Sequence, residues 1–386
     1  MVSHAVRSCI VAISVIGGAI QPALAQEPPP PPPPPQTPPQ TPAGLSSKVF
    51  NPDISVVGNF VALAGKNPMS EEPSLSLSEV EVAFQAVVDA YARADFFIAL
   101  SPEGAEVEEG FITFTSLPAN LLLKAGKMRA QFGKLNTLHT HRLPSVDRSL
   151  VTDNLLGGEE GLSDAGLSLA YLANNPALFL EFIGEVYRGE SEVYQTSRRG
   201  RLNYVGRVRA YRDLTEDKNL DGGVSFSWGP TDFFTGVPVA AAETDGEEIV
   251  APPVELGKRL IGVDLTFRYR PLARAIYRRL NLRTELIWSQ QDRAGDSPVS
   301  AFGFYAMGEY QFARRWYIGG RGDRSGRVLD GDAVDTGASV FLTFWPTEFS
   351  QIRSQYRWTK YAEDVSGNEF LFQFNFSIGA HGAHIF

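Results

Sequence analysis

Long segments with alternating side-chain character are the feature that most restricts the fold of this chain. In the last segment, Phe372, Phe374 and Phe376 lie on one face, whereas Gln373 and Asn375 lie on the other. Successive side chains of a β-strand point to opposite faces, so this pattern predicts a strand with one apolar and one polar face. Sixteen strands are predicted in this way, at 54–64, 76–88, 92–101, 107–116, 120–130, 163–173, 177–187, 200–212, 220–229, 258–270, 279–291, 298–311, 315–323, 335–345, 349–361 and 368–378.

The lengths of these segments favour a membrane barrel over a water-soluble sandwich, which would alternate too. Most are near the roughly 9–11 residues that a tilted strand needs to cross the hydrocarbon core, whereas globular strands average about five or six. Closing the sheet removes its exposed edges, and a barrel of this width encloses an aqueous channel. The sequence therefore predicts an all-β fold: a closed antiparallel transmembrane β-barrel of about sixteen strands, with fourteen as the alternative count.

The links between the segments alternate in length. Even-numbered links are mostly tight, as at Pro118-Ala119 and Ala313-Arg314. The odd-numbered links include the long ones 131–162, 188–199, 230–257 and 324–334, whereas the even-numbered 271–278 link is longer than a tight turn. Short periplasmic turns that alternate with longer outer loops are typical of bacterial outer-membrane barrels. We therefore expect the protein to lie in the outer membrane.

The first 25 residues are predicted to be a signal peptide. Arg7 gives a positive start, Cys9–Ile20 is an apolar stretch too short to span a bilayer, and Ala23-Leu24-Ala25 fits a signal-peptidase site. Cleavage after Ala25 removes the only cysteine and leaves 34 basic against 44 acidic residues, a net charge of −10. Nucleic-acid binding relies on neutralising phosphates, so an acidic chain predicts no nucleic-acid partner.

A proline-rich periplasmic segment, 26–50, is predicted between the signal peptide, 1–25, and the barrel, 51–386. Residues 28–35 are eight consecutive prolines. Proline lacks the N–H that helices and sheets need, so we expect a stiff polyproline II spacer. The alternative is that this arm binds a periplasmic or cell-wall partner.

The last residue, Phe386, is in phase with the outward phenylalanines of the final segment. A C-terminal aromatic residue on the last strand resembles the signal by which outer-membrane proteins are recognised for assembly. Phe386 is therefore the predicted assembly signal.

Several stretches near the start of the barrel form a recognisable succession: SEVEVAFQ at 78–85, YARADFF at 91–97, VEEGF at 107–111 and LKAGKMRAQFG at 123–133. This succession resembles the porin O/P family, the phosphate-selective porins and their relatives. The resemblance covers residues 76–135 well and the rest of the chain in strand layout only. It implies a sixteen-stranded porin, more than it implies phosphate as the solute, and it suggests a homotrimer.

Charged residues that alternate with apolar ones on the predicted strands are expected to face the lumen. An arginine on the lipid face at mid-bilayer costs about 2–4 kcal/mol. Inward guanidinium groups attract anions, but inward acids such as Glu79, Glu81, Asp95 and Glu181 oppose them. A modest anion preference and a cross-pore field without strong selectivity are therefore both open. The predicted channel-lining residues are Arg207, Arg209, Asp264, Arg268, Arg270, Arg283, Glu285, Arg353 and Arg357.

The 131–162 connection is predicted to fold into the pore as a constriction loop. Its candidate residues are His139, His141, Arg142, Asp147 and Arg148. Two histidines near an acid suit a transition metal. The other histidines of the mature chain, His381 and His384, are predicted on the opposite side of the membrane. We therefore predict neither a metal site nor a cofactor.

The expected function is an outer-membrane porin for passive diffusion of small hydrophilic solutes, with a modest preference for phosphate-like anions. The sequence contains no G-x-S-x-G, H-E-x-x-H or P-loop motif, so no enzyme is predicted. The expected partners are outer-membrane lipid, small solutes and further copies of the chain. The alternatives are a tether or structural barrel that uses the polyproline arm, a metal-related uptake barrel, and a gated receptor, which would need a plug domain.

Overall fold

The computed structural model describes residues 52–70, 72–101, 104–196, 199–231, 256–293 and 296–379. The predicted signal peptide, the proline-rich segment and Phe386 lie outside these ranges. No helix in the described part of the chain is long and apolar enough to cross a membrane.

Sixteen strands account for most of the described residues. They are β1 (Asp53–Lys66), β2 (Leu75–Val87), β3 (Ala92–Ser101), β4 (Gly104–Phe114), β5 (Leu121–Arg129), β6 (Ser163–Ala173), β7 (Phe179–Tyr187), β8 (Asn203–Thr215), β9 (Lys218–Thr231), β10 (Leu256–Tyr269), β11 (Arg279–Arg293), β12 (Asp296–Ala313), β13 (Trp316–Arg327), β14 (Asp330–Thr347), β15 (Ser350–Lys360) and β16 (Ser366–Gly379). The helical pieces are α1 (Leu150–Leu155) and the 3₁₀ turns Leu135–Thr137, Thr140–Arg142 and Leu272–Arg274.

The strands form one closed antiparallel barrel. Each strand pairs with its neighbour in the sequence, and β1 pairs with β16 from Ser55 opposite Gly379 to Lys66 opposite Asn368. Closure leaves no sheet edge with unpaired backbone groups. The predicted fold class and the count of sixteen strands are therefore confirmed.

The outer wall of the barrel is apolar and the inner wall is polar. On β10, Leu265 is exposed on the outer face, whereas its neighbours Asp264 and Thr266 are buried on the inner face. A water-soluble protein rarely exposes a continuous apolar surface of this kind, so lipid is the environment that this wall suits. Other exposed apolar residues of the outer wall are Leu167, Leu169, Phe182, Val208, Val224, Phe226, Ile261, Leu282, Val340, Leu342, Phe370 and Phe376.

The link lengths follow the predicted parity at most positions. Even-numbered links such as 216–217 and 314–315 are tight, and we call their end of the barrel the turn end. The opposite end, which we call the loop end, carries the long odd-numbered links 130–162 and 188–202. Most of the predicted 230–257 loop lies outside the described residues.

The predicted 324–334 loop is wrong. β13 and β14 continue through this range and turn only at Val328 and Leu329, with Arg327 paired opposite Asp330. The range contains outward-facing Arg324 and several glycines and aspartates, so it lacks apolar alternation. A hairpin that extends beyond the lipid has no need of an apolar face, which explains why its sequence resembles that of a loop.

We expect Val340→Arg to destabilise the barrel by about 2–4 kcal/mol, because it places a charge near mid-bilayer. Val340 is 60% exposed, and it lies on β14 between Ala338, which pairs with Trp358, and Phe344, which pairs with Trp316. Such tryptophans mark the two membrane interfaces. Urea unfolding of protein refolded in lipid vesicles measures the change in free energy.

Thr336→Arg on the same strand is the matched control. Thr336 pairs with Arg324 and Lys360, which places it at a polar level outside the hydrocarbon core. This substitution should cost no more than about 1 kcal/mol. Equal costs at the two positions would contradict the assignment of the outer wall to lipid.

Candidate functional site

The loop between β5 and β6, residues 130–162, folds into the lumen, and we call it the inward loop. Its apolar side chains are buried against inward-facing residues of the barrel wall, which makes an apolar cluster inside a polar tube. The loop residues of this cluster include Phe132, Leu135, Leu143, Val151, Leu155 and Leu156, and the wall residues include Leu260, Ile287, Tyr305 and Phe341. The loop thus lies inside the lumen, and its role as the constriction stays a prediction.

The start of the inward loop is anchored on β8, β10 and β11. Arg207 donates a hydrogen bond of 2.6 Å to the carbonyl of Gly133 and forms an ion pair of 2.8 Å with Asp264. Glu285 accepts hydrogen bonds from the backbone N–H groups of Lys134 and Leu135. Three of the predicted channel-lining residues therefore hold the loop in place.

A second group of lumenal charges surrounds Asp221 on β9, and we call it the Asp221 cluster. It comprises Lys134, Glu181, Arg209, Asp221 and Arg268. One carboxylate, that of Asp221, contacts Lys134 at 2.5 Å, Arg209 at 3.0 Å and Arg268 at 3.3 Å. Glu181 lies 3.8 Å from Arg209, so the cluster holds three cations and two anions. The Arg209 and Arg268 side chains are 37% and 33% exposed, which leaves the excess positive charge open to water.

Asp147 anchors the middle of the inward loop on β13 and β15. Its carboxylate lies 3.0 Å from Arg321 and 3.1 Å from Arg357. Burial alone raises the pKa of Asp147, but Arg321 and Arg357 outweigh burial and lower that pKa to about 2. Each arginine has another acidic partner, Asp323 at 2.7 Å from Arg321 and Glu369 at 2.7 Å from Arg357.

His139 anchors the loop on β2 and β4. Its Nδ1 lies 2.5 Å from Glu81 and 3.0 Å from Glu108, and its Nε2 lies 2.7 Å from Glu109. Burial lowers the pKa of His139, but hydrogen bonds to the three carboxylates outweigh burial and hold this pKa well above its usual value. The His139 ring therefore bridges three acids of the wall, and these acids favour its protonated form.

Arg353, predicted to line the channel, is buried beneath the inward loop. It donates hydrogen bonds of 3.0 Å to Thr343, 3.0 Å to the carbonyl of Leu143 and 3.1 Å to Gln373. Its guanidinium is thus enclosed by neutral acceptors, one of which belongs to the loop. Arg353 positions the loop instead of facing open water.

The other predicted residues have different surroundings. Arg283 is half-buried on the same face of β11 as Glu285, whereas Arg270 follows β10 at the turn end and is exposed. In the inward loop, Arg142 is exposed. Arg148 is buried and donates hydrogen bonds to two carbonyls of the loop, with burial lowering its pKa to about 10.

Several residues of the site were not predicted, notably Arg321, Asp221, Lys134 and Glu108. Arg321 alternates with Gly320 and Gly322, so no apolar neighbour marks its inward phase. The available signal was that Arg321 and Asp323 are charges of opposite sign two positions apart, a spacing that places both on one face of a strand.

A cavity of about 200 Å³ lies beside the Asp147 anchor towards the loop end. Its lining includes Asp147, Asp153, Arg321, Asp335 and Arg357. Burial and the neighbouring charge of Asp147 raise the pKa of Asp153 to about 7. The cavity can hold water or a small polar solute beside a charged wall.

Comparison with known sequences gives one relative of unknown role. No protein-family model matches the chain. An uncharacterized protein of Aquifex aeolicus (strain VF5) is 29% identical over 399 residues, a match that covers 89% of this chain and 81% of that protein.

Solved structures with a similar fold are outer-membrane proteins. The anion-selective porin from Comamonas acidovorans matches with a TM-score of 0.57 at 8% identity and covers 84% of this chain and 98% of its own. OprB of Pseudomonas putida matches at 0.55 and 12% identity, covering 85% and 94%. OmpT of Vibrio cholerae matches at 0.55 and 9% identity, covering 86% and 99%. At such identities the likeness shows a shared porin-like barrel fold.

Proposed function

We propose that this protein is an outer-membrane porin through which small hydrophilic solutes diffuse passively. The observation that carries the proposal is that the barrel wall is apolar outside and polar inside. This wall surrounds a lumen narrowed by an anchored loop. Barrels of this width enclose an aqueous path. The structural neighbours, which include porins, support the same role and an outer-membrane location.

Membership of the porin O/P family and a trimeric assembly belong to the same proposal. The stretches between residues 76 and 135 support the family. A trimer form of OmpT of Vibrio cholerae, which matches with a TM-score of 0.54, supports the assembly by analogy.

We further propose a modest preference for small anions. Support comes from the Asp221 cluster, where two partly exposed arginines and Lys134 outnumber the two carboxylates. Low-dielectric walls focus the field of such charges inside a narrow lumen. The preference is modest because Arg207 and Arg357 are paired with acids and Arg353 is enclosed. One structural neighbour is described as an anion-selective porin.

Conductance in planar bilayers tests the porin role. Refolded wild-type protein should give stepwise, ohmic channels whose zero-current potential in a salt gradient indicates a small excess of anion flux. Salt should weaken that excess, because it screens the lumenal charges. Insertion of folded protein without any conductance would contradict the proposal.

The double substitution Arg209→Gln/Arg268→Gln should move the zero-current potential towards cation preference. Removing two of the three cations leaves Lys134 with Asp221 and Glu181, so the sign of the cluster reverses. Arg259→Gln is the matched control, since Arg259 is exposed on the outer face of β10. If the double variant and wild type have the same zero-current potential, the Asp221 cluster does not determine ion selectivity.

A further inference from the structure

Glu79 and Glu81 of β2 face His141 of the inward loop inside the barrel. The Nδ1 atom of His141 lies 4.0 Å from Glu79 Oε1 and 3.7 Å from Glu81 Oε2. The three ligand atoms are all within 4.8 Å of one another. Two carboxylates and an imidazole therefore converge on one point at the boundary between loop and wall.

Burial makes this arrangement costly for anions. Glu79 and Glu81 are only 6% and 3% exposed, and Glu79 Oε1 has no hydrogen-bond partner in the described part of the chain. A buried carboxylate oxygen without a partner is strongly destabilised relative to one in water. The Glu79 carboxylate is thus directed into the cluster, where an added positive charge would stabilise it.

The neighbouring basic side chains do not supply this positive charge. The surrounding wall adds Glu108 and Glu109, which makes four carboxylates in all. His139 is shared among three of them, and Arg129 is bound to Glu108 at 2.9 Å. Neither cation contacts Glu79 among the described ion pairs and hydrogen bonds.

We propose that Glu79, Glu81 and His141 form a binding site for a divalent transition-metal ion of the zinc type. Imidazole and carboxylate together suit this class of ion. In a tetrahedral site, two atoms bound to one zinc ion at about 2.1 Å each lie about 3.4 Å apart. The distances of 4.0 and 3.7 Å from His141 are slightly longer than this, so the donors need only small rotations to reach a shared ion.

A second group of donors, Glu81, Glu108 and His139, is less suited to the ion. His139 Nδ1 is already 2.5 Å from Glu81 and 3.0 Å from Glu108, which are hydrogen-bond distances. A metal ion there would have to break contacts that the His139 ring already makes with three carboxylates. At the His141 site the ion instead adds a link between the loop and β2.

Zinc binding to the refolded, untagged mature chain tests the site. His381 and His384 lie outside the described residues, so both are replaced by Asn in every variant to exclude binding near the C-terminus. Equilibrium dialysis against zinc should give one bound ion per chain at submillimolar zinc. Cobalt in place of zinc should give visible absorption bands that are shifted and much more intense than those of aqueous cobalt, because protein ligands replace water around the metal.

Glu79→Gln and His141→Asn should each weaken zinc binding at least about tenfold, as loss of a ligand does. Glu309→Gln is the matched control, because it removes the charge of a half-buried barrel carboxylate on β12, apart from this group. Heat-modifiable gel mobility checks that every variant is folded. Folded wild type that retains no zinc, or equal affinity in wild type and Glu79→Gln, would overturn the site. Neither result depends on whether the barrel conducts.

Discussion

Replacing residues 134–157 with a short Gly-Ser linker should raise the single-channel conductance several-fold. This segment contributes Leu135, Leu143, Val151 and Leu155 to the apolar cluster that occupies the lumen. A sixteen-stranded wall without an internal loop encloses a wide aqueous channel. Conductance in planar bilayers gives the size of the effect, and heat-modifiable mobility shows whether the barrel has formed.

A linker of the native length is the control for chain mass. It keeps the volume of the backbone but loses the anchors at Asp147 and His139, so we expect a noisy channel of intermediate conductance. If the short-linker barrel folds and conducts no better than wild type, the inward loop is not the constriction.

Arg321→Met should destabilise the protein by about 3–5 kcal/mol, as the breaking of a buried ion pair does. The Arg321 side chain is 3% exposed and bridges Asp147 of the loop and Asp323 of its own strand. Asp147 retains its ion pair with Arg357, whereas Asp323 loses its only ionic partner among the described residues. Urea unfolding of the detergent-refolded protein measures the loss.

Lys360→Met is the matched control for removing a cation. The Lys360 and Asp364 side chains are 52% and 85% exposed, and an exposed pair contributes between 0 and about 1 kcal/mol. The same loss in both variants would mean that the Arg321 bridge adds no more than a surface pair. Limited proteolysis within the loop would show whether Arg321→Met releases the loop before the strands unfold.

The strands were predictable because their signal is local. Alternation is imposed on each strand separately by lipid on one side and water on the other, so β16 can be recognised from Phe370, Phe372 and Phe374 alone. Strand residues that lie beyond the lipid do not have to alternate, so alternation does not reveal them. There β13 and β14 pair up to Arg327 and Asp330 with polar residues on both faces, and a one-chain pattern cannot distinguish such a hairpin from a loop.

The ion pairs of the lumen were not predictable from periodicity. The phase of Arg207 and Arg353 on their strands follows from their neighbours, but their surroundings depend on where the inward loop lies. Arg353 meets the carbonyl of Leu143, which is 210 positions away in the sequence. Partners at such separation are set by the closed barrel, and the inward phase of an arginine does not reveal whether its charge is free or paired.

Anchoring of the inward loop on many strands makes its docking depend on closure of the barrel. Its binding surface includes Glu81 on β2, Arg207 on β8, Glu285 on β11 and Arg321 on β13. These strands face one another only after β1 has joined β16 and the ring is complete. The full set of loop contacts is therefore available only in the closed barrel, so docking of the loop and closure of the ring stabilise each other.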